Sequence, residues 1–119
     1  MQIDIHAQGF SLTGALRDHT ERRLRFALAR VSDRVGRITV RLIDINGPRG
    51  GHDKRCRIQV MLNGLAAVAI EDTEPNLYLA IDRAADRIGR NVMRRLARHG
   101  ARRVVGSPDQ PIPIKGSET

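Results

Sequence analysis

Arg83, Arg87, Arg90, Arg94 and Arg98 recur at steps of four, three, four and four. At about 100° per residue they fall within an arc of roughly 80° on one helix. A guanidinium presents a planar fork of donors that matches two phosphate oxygens, so a row of them along a helix suits a polyanion backbone. Arg95 sits off the row, and Arg102 and Arg103 extend its field. Along the length of the row only Asp86 lies near enough to offset it, four residues before Arg90. Like charges one turn apart cost a helix about a few tenths of a kcal/mol per pair. A feature with a structural cost asks for a functional reason.

The charge balance isolates the same segment. The 119 residues carry a net +8, and residues 83–103, with eight Arg against one Asp, hold +7 of it. A general preference for Arg, which makes up 19 of the 21 basic residues, would spread the charge evenly. Concentrated in this way, it points to nucleic acid as partner. The aromatics are Phe10, Phe26 and Tyr78, and none falls on the expected open face of the sheet. Binding is therefore expected through phosphates and shape rather than through stacked or edge-read bases.

Other chemistries find no support. Cys56 is the single cysteine, which excludes an internal disulfide and a Cys-rich zinc module. His6, His19, His52 and His99 show no ligand spacing, so neither a metal nor a cofactor is expected. Walker-type and G-x-G-x-x-G patterns are missing, and Gly47, Gly50 and Gly51 form only a loose turn. No carboxylate pair stands with a partnered His or Ser, so no catalytic residue, enzyme activity or small-molecule substrate is expected. No run approaches the ~20 apolar residues of a membrane span. The opening Met1–His6 lacks the build of a signal peptide. A cytoplasmic domain without a membrane partner is the expectation. Arg49, Lys54 and Arg55 belong to a loop that could reach a partner, and the acidic knot Glu71-Asp72-Thr73-Glu74 would support a helix N-terminus.

The elements that must position these residues can be read from periodicity. Ile3 and Ile5 alternate in a first strand over residues 1–8, ended by Gly9. Ser11 or Thr13 caps a helix running to about Val31, with Leu16, Thr20, Leu24, Ala27, Leu28 and Val31 as its buried stripe. Phe26 falls off that stripe and is expected to pack sideways under a loop. A second strand spans 37–45, where the phase slip after Leu42 suggests a bulge. A third, about 55–62, turns Cys56, Ile58, Val60 and Leu62 to one side; Asn63-Gly64 then signals a two-residue hairpin into a fourth at about 65–71. Thr73-Glu74-Pro75 opens the last helix, whose apolar stripe is Leu77, Ile81, Ala84, Ala85, Ile88 and Val92, and which should fray near His99-Gly100. The order β-α-β-β-β-α makes an α+β two-layer sandwich: a four-stranded sheet with both helices on one face, β1 parallel to β2 and the rest an antiparallel meander. Residues 1–103 are expected to form one RNA-binding domain, and 104–119, with three prolines, a flexible tail.

Three stretches resemble the ribosome hibernation-promoting factor / ribosome-associated inhibitor family of bacterial stress proteins. They are Met1-Gln2-Ile3, Ala15-Leu16-Arg17-Asp18 running on to Arg23-Leu24, and Leu77-Tyr78-Leu79-Ala80-Ile81-Asp82 with Asp86-Arg87-Ile88. The resemblance covers about residues 1–99, and its fold is the same β-α-β-β-β-α order, like a double-stranded-RNA-binding domain with an extra strand. It implies binding of rRNA on the small ribosomal subunit, between head and body, where messenger and transfer RNA sit. It also implies inhibition of translation in stress or stationary phase. The family's basic positions match Arg23, Arg87, Arg90, Arg94 and Arg95, while Arg83, Arg98 and Arg102 rest on the charge pattern alone. Nothing after Gly106 matches the second, dimerising domain of long family members. The Gly-rich loop from Asn46 to Arg55 and the small residues of the fourth strand depart from the family. They leave room for a divergent paralogue that binds other structured RNA or acts as a protein-interaction stress adaptor.

Overall fold

The structure, a computed structural model, describes residues 1–45 and 53–105. The chain divides into two compact units, Met1–Gly89 and Arg90–Thr119, with the boundary inside the last helix. The elements are β1 (Gln2–Gln8), α1 (Gly14–Ala27), a 3-10 segment (Ala29–Arg34), β2 (Val35–Asp44), β3 (Lys54–Leu62), β4 (Val68–Glu74) and α2 (Leu77–Val105). The sheet has the order β1-β2-β3-β4, with β1 parallel to β2 and the other neighbours antiparallel. This is the α+β architecture expected from the periodicity.

Alternation builds the core of the first unit. Ile38, Val40 and Leu42 of β2, Cys56, Ile58, Val60 and Leu62 of β3, and Val68 and Ile70 of β4 are all buried. Their neighbours Arg41, Arg57, Gln59 and Met61 are exposed on the opposite face. The helices cover the apolar face with Leu16, Thr20, Leu24 and Leu28 from the α1 side and Ala80, Ile81, Ala84, Ala85 and Ile88 from α2. Buried Thr20 is satisfied by its own helix, its hydroxyl donating to the Leu16 carbonyl at 2.7 Å. The helices approach closely at one point. A Cβ added to Gly89 would lie 3.1 Å from the Ala27 carbonyl oxygen and 3.3 Å from the Ala27 Cβ.

Local chemistry places the ends of the elements, and several differ from expectation. Thr13 caps α1, its hydroxyl accepting from Leu16 N at 3.1 Å. Gly9 turns with φ 89°, where a side chain would meet the Asp44 carbonyl oxygen at 2.7 Å. The α-helix ends at Ala27 rather than near Val31. Leu28 leaves helical geometry yet stays buried, and a 3-10 segment carries the chain back to β2. No bulge occurs near Leu42; the register shift lies between Val35 and Ile38. The phase slip read at Leu42 arises because half-buried Ile43 belongs to the other face and exposed Ile45 lies beyond the strand.

The fourth strand begins at Val68, three residues later than expected. Asn63 is drawn to the end of the 3-10 segment, its N–H donating to the Arg34 carbonyl at 3.0 Å and its amide to the Asp33 carbonyl at 3.2 Å. A wider connection replaces the two-residue turn, with Gly64 at φ 75°. The acidic knot consequently becomes strand: Glu71, Asp72, Thr73 and Glu74 pair with Arg57, Cys56, Arg55 and Lys54. Asn76, not Thr73, then caps α2, its side-chain oxygen accepting from Leu79 N at 2.8 Å. The helix continues past Gly100 to Val105. Residues 106–119, and with them most of the expected tail, lie outside the described residues.

Cys56 is fully buried opposite Leu42 and Asp72. Burial, with a smaller contribution from the Asp72 charge, pushes its thiol up to about 12 from 9.0. The neutral thiol is thus held in the native state, while the unfolded chain ionises it above its ordinary value. Stability carried by this group is therefore full below about pH 9 and falls as pH rises toward 12. Denaturant titrations across that window should show a downward slope that is shallower in Cys56→Ala, where the raised Lys54 still contributes. Cys56→Ser should cost about 1–3 kcal/mol, since a buried hydroxyl needs a new partner.

Candidate nucleic-acid interface

The arginines of the expected row divide by what they touch. In the first unit, Arg83 Nε lies 3.5 Å from Glu74. Arg87 donates to the Glu71 carbonyl at 2.9 Å and lies 3.2 Å from the Asp72 carboxylate. The acids that offset these two are thus on β4, not on the helix, because the three-residue shift of that strand lays the acidic knot beside α2. Both guanidiniums remain about half exposed, with side-chain exposures of 59% and 47%. Asp86, the one acid near the row, is turned to α1 instead and accepts from Arg23 Nη2 at 2.8 Å.

Arg23 is the hinge-pin of the α1–α2 contact. Its Nε lies 3.1 Å from Asp82 Oδ1, and its Nη2 reaches the Asp82 carbonyl at 3.3 Å as well as Asp86. His19 Nε2 donates to the same Asp82 carboxylate at 2.7 Å. The Tyr78 ring meets the His19 ring edge-on at 5.0 Å. The Tyr78-x-Ala80-Ile81-Asp82 stretch therefore has a physical reading. Ala80 and Ile81 enter the core while Tyr78 and Asp82 grip α1. Arg23 sits in this lock with 28% of its side chain exposed.

In the second unit, Arg90, Arg94 and Arg98 are exposed and Arg95 is half-buried. Arg94 donates to the neutral Asn91 side chain. Among the described residues no acid pairs with Arg90, Arg94 or Arg98. Three positions of α2 thus carry solvent-facing guanidiniums with no acid partner among the described residues. Arg102 follows on the last turn of the same helix, its side chain outside the described part.

The loop residues behave differently. The Lys54 ammonium lies 2.8 Å from Asp53, which is buried, and 3.3 Å from Asp44. The Asp53 hydrogen bond, with Asp44 adding to it, raises Lys54 above its ordinary value. Arg55 is half-buried on β3, and Arg49 lies outside the described residues. Phe26, expected under a loop, is 78% exposed. Only its place off the buried stripe signalled this in the sequence. Among the described residues no helix is long and apolar enough to cross a membrane.

Residues 3–99 match the family described as sigma 54 modulation protein / S30EA ribosomal protein. The chain belongs to this family. The resemblance drawn from the opening strand, α1 and the start of α2 is thereby supported. This S30EA-family chain is similar to the crystal structure of the Thermus thermophilus Protein Y N-terminal domain. The identity is 33% and the TM-score 0.65, covering 79% of this chain and 98% of that one. It also shares its fold with a ribosomal subunit interface protein from Coxiella burnetii, at 20% identity and TM-score 0.66, covering 82% and 99% of the two chains. No curated protein gives a significant match.

The two kinds of arginine separate experimentally. Arg23→Ala strips Asp82 and Asp86 of a partner and should lower stability by about 1 kcal/mol, read as a lower melting temperature. Arg90→Ala should leave the melting temperature unchanged. Asp72→Asn with Glu74→Gln frees Arg87 and Arg83 and should delay elution from heparin to higher salt.

Proposed function

We propose that the chain is a cytoplasmic, non-enzymatic hibernation factor that binds rRNA of the small ribosomal subunit in the decoding and tRNA region and stops translation under stress. Family membership across residues 3–99 carries the proposal. The name ribosomal subunit interface protein, borne by a structure of the same fold, agrees with it. The exposed, acid-free guanidiniums of Arg90, Arg94 and Arg98 supply the chemistry, each gripping phosphate without reading sequence. Arg83, Arg87 and Arg95 contribute their exposed parts, and Arg102 extends the positive helix within a binding domain of residues 1–103. Arg23 serves by holding α1 to α2 rather than by offering its full charge.

The test is co-sedimentation with purified small subunits through a sucrose gradient. The wild type should travel with the subunit, and added salt should weaken the complex steeply. Arg90→Glu, Arg94→Glu and Arg98→Glu together should abolish association and relieve inhibition in a translation extract, with the fold intact by melting temperature. Single Arg→Ala changes should weaken binding in similar steps, each lowering the salt slope by about one. A triple variant that still sediments with the subunit overturns the assignment.

A further inference from the structure

Helix α1 has three kinds of face. Leu16, Thr20 and Leu24 are buried in the core. His19 and Arg23 engage Asp82 and Asp86 of α2, and Ala27 meets Gly89. Arg22, Arg25 and Phe26 lie outside both and are exposed. The Phe26 ring, 78% exposed, is the most open of the large hydrophobic side chains described, ahead of Ile45 at 47% and Tyr78 at 42%. Tyr78 is held against His19, whereas Phe26 makes no ring contact among the described residues.

One exposed apolar side chain is ordinary; the setting of this one is not. Arg22 precedes Phe26 by one turn, Arg25 adjoins it, and exposed Arg30 follows on the 3-10 segment. Among the described residues none of the three has an ion-pair partner, unlike Arg23 between them, which is engaged by two carboxylates. Asp18 and Glu21, each four residues ahead of Arg22 and Arg25, do not close to ion-pair distance either.

We propose that Phe26 is a stacking platform for one unpaired RNA base, with Arg22, Arg25 and Arg30 holding the phosphates on either side of it. An open aromatic face selects a planar, apolar-faced group, and the surrounding guanidiniums select an anion that carries it. A base-paired helix keeps its base faces closed, so the ligand is single-stranded. A second copy of this chain would bring three arginines against three. It would also gain only two rings where a stable interface needs about 1,200 Å² or more. An acidic peptide would satisfy the arginines and leave the ring unused. This inference rests on the RNA-binding function proposed above and adds to it a contact that is not phosphate recognition.

The full chain is titrated with three probes: purified small subunits, a short end-labelled single-stranded RNA carrying one 5-iodouridine, and a blunt duplex of the same sequence. Phe26→Ala should weaken the single strand about tenfold, with an unchanged salt slope because no phosphate contact is lost. Duplex affinity should stay as it is. Phe26→Trp should bind as tightly as the wild type and Phe26→Leu should not, since only an aromatic face restores stacking. Irradiation should cross-link the iodouridine to Phe26. Single-strand affinity unchanged in Phe26→Ala, or restored in Phe26→Leu, overturns the proposal. So does a concentration-dependent dimer that Phe26→Ala abolishes, which would make a second copy the occupant. Small-subunit binding with unaltered Phe26→Ala affinity for the single strand removes this proposal alone. Failure on small subunits with the single-strand results as expected removes the ribosomal function alone. A wild type that binds none of the probes overturns both.

Discussion

The parallel pairing of β1 with β2 is the constraint on which the first unit depends. Parallel neighbours cannot be joined by a tight turn, so the chain must leave the sheet and cross over one face before returning. Here α1 and the 3-10 segment make that crossing. The apolar residues of β2, β3 and β4 accumulate on the covered face, and polar side chains are left to the other. Once α1 lies on the sheet, α2 completes the cover beside it, and Gly89 against Ala27 measures how near the two helices come. A one-sided core of this kind commits every remaining face of both helices to solvent or to a partner.

Charge is then sorted by proximity rather than by composition. Arg23 is consumed between the helices by Asp82 and Asp86. Arg83 and Arg87 are tied to the β4 acids Glu74 and Asp72, and Lys54 to Asp53 and Asp44. The acids of the first unit are thus largely spent on neighbouring bases. Among the described residues, the exposed guanidiniums without a carboxylate at ion-pair distance include Arg90, Arg94 and Arg98 of α2 and Arg22, Arg25 and Arg30 around Phe26. An isolated net charge describes neither group; what matters is which cations the fold has already paired.

Most of the fold was legible because it rests on periodicity. The two-residue alternation of Ile38, Val40 and Leu42 and of Cys56, Ile58, Val60 and Leu62 marked the buried face, and the α1 and α2 stripes marked the helices. What periodicity could not supply were partners distant in sequence. Asn63-Gly64 reads as a tight hairpin, but the carbonyls of Asp33 and Arg34 capture Asn63 and delay β4. Thr73-Glu74-Pro75 has the chemistry of a helix start, yet Thr73 and Glu74 pair with Arg55 and Lys54 in the sheet, leaving the cap to Asn76. The same displacement hid the partial neutralisation of the arginine row. The row itself was plain in the sequence, whereas the contrast between Arg23 and its neighbours Arg22 and Arg25 depends on where the fold places Asp82 and Asp86.

Ala27 and Gly89 share a single volume. A methyl placed at position 89 would lie 3.1 Å from the Ala27 carbonyl oxygen and 3.3 Å from the Ala27 Cβ, so growth at either site presses the helices apart. Both positions should therefore be held small over evolutionary time, coupled to the core by the closeness of the seam. Exposed positions such as Arg22, Phe26 and Arg25 carry no such coupling to the core. Natural variation can reshape what this helix pair presents to a partner while the seam between the helices stays nearly fixed.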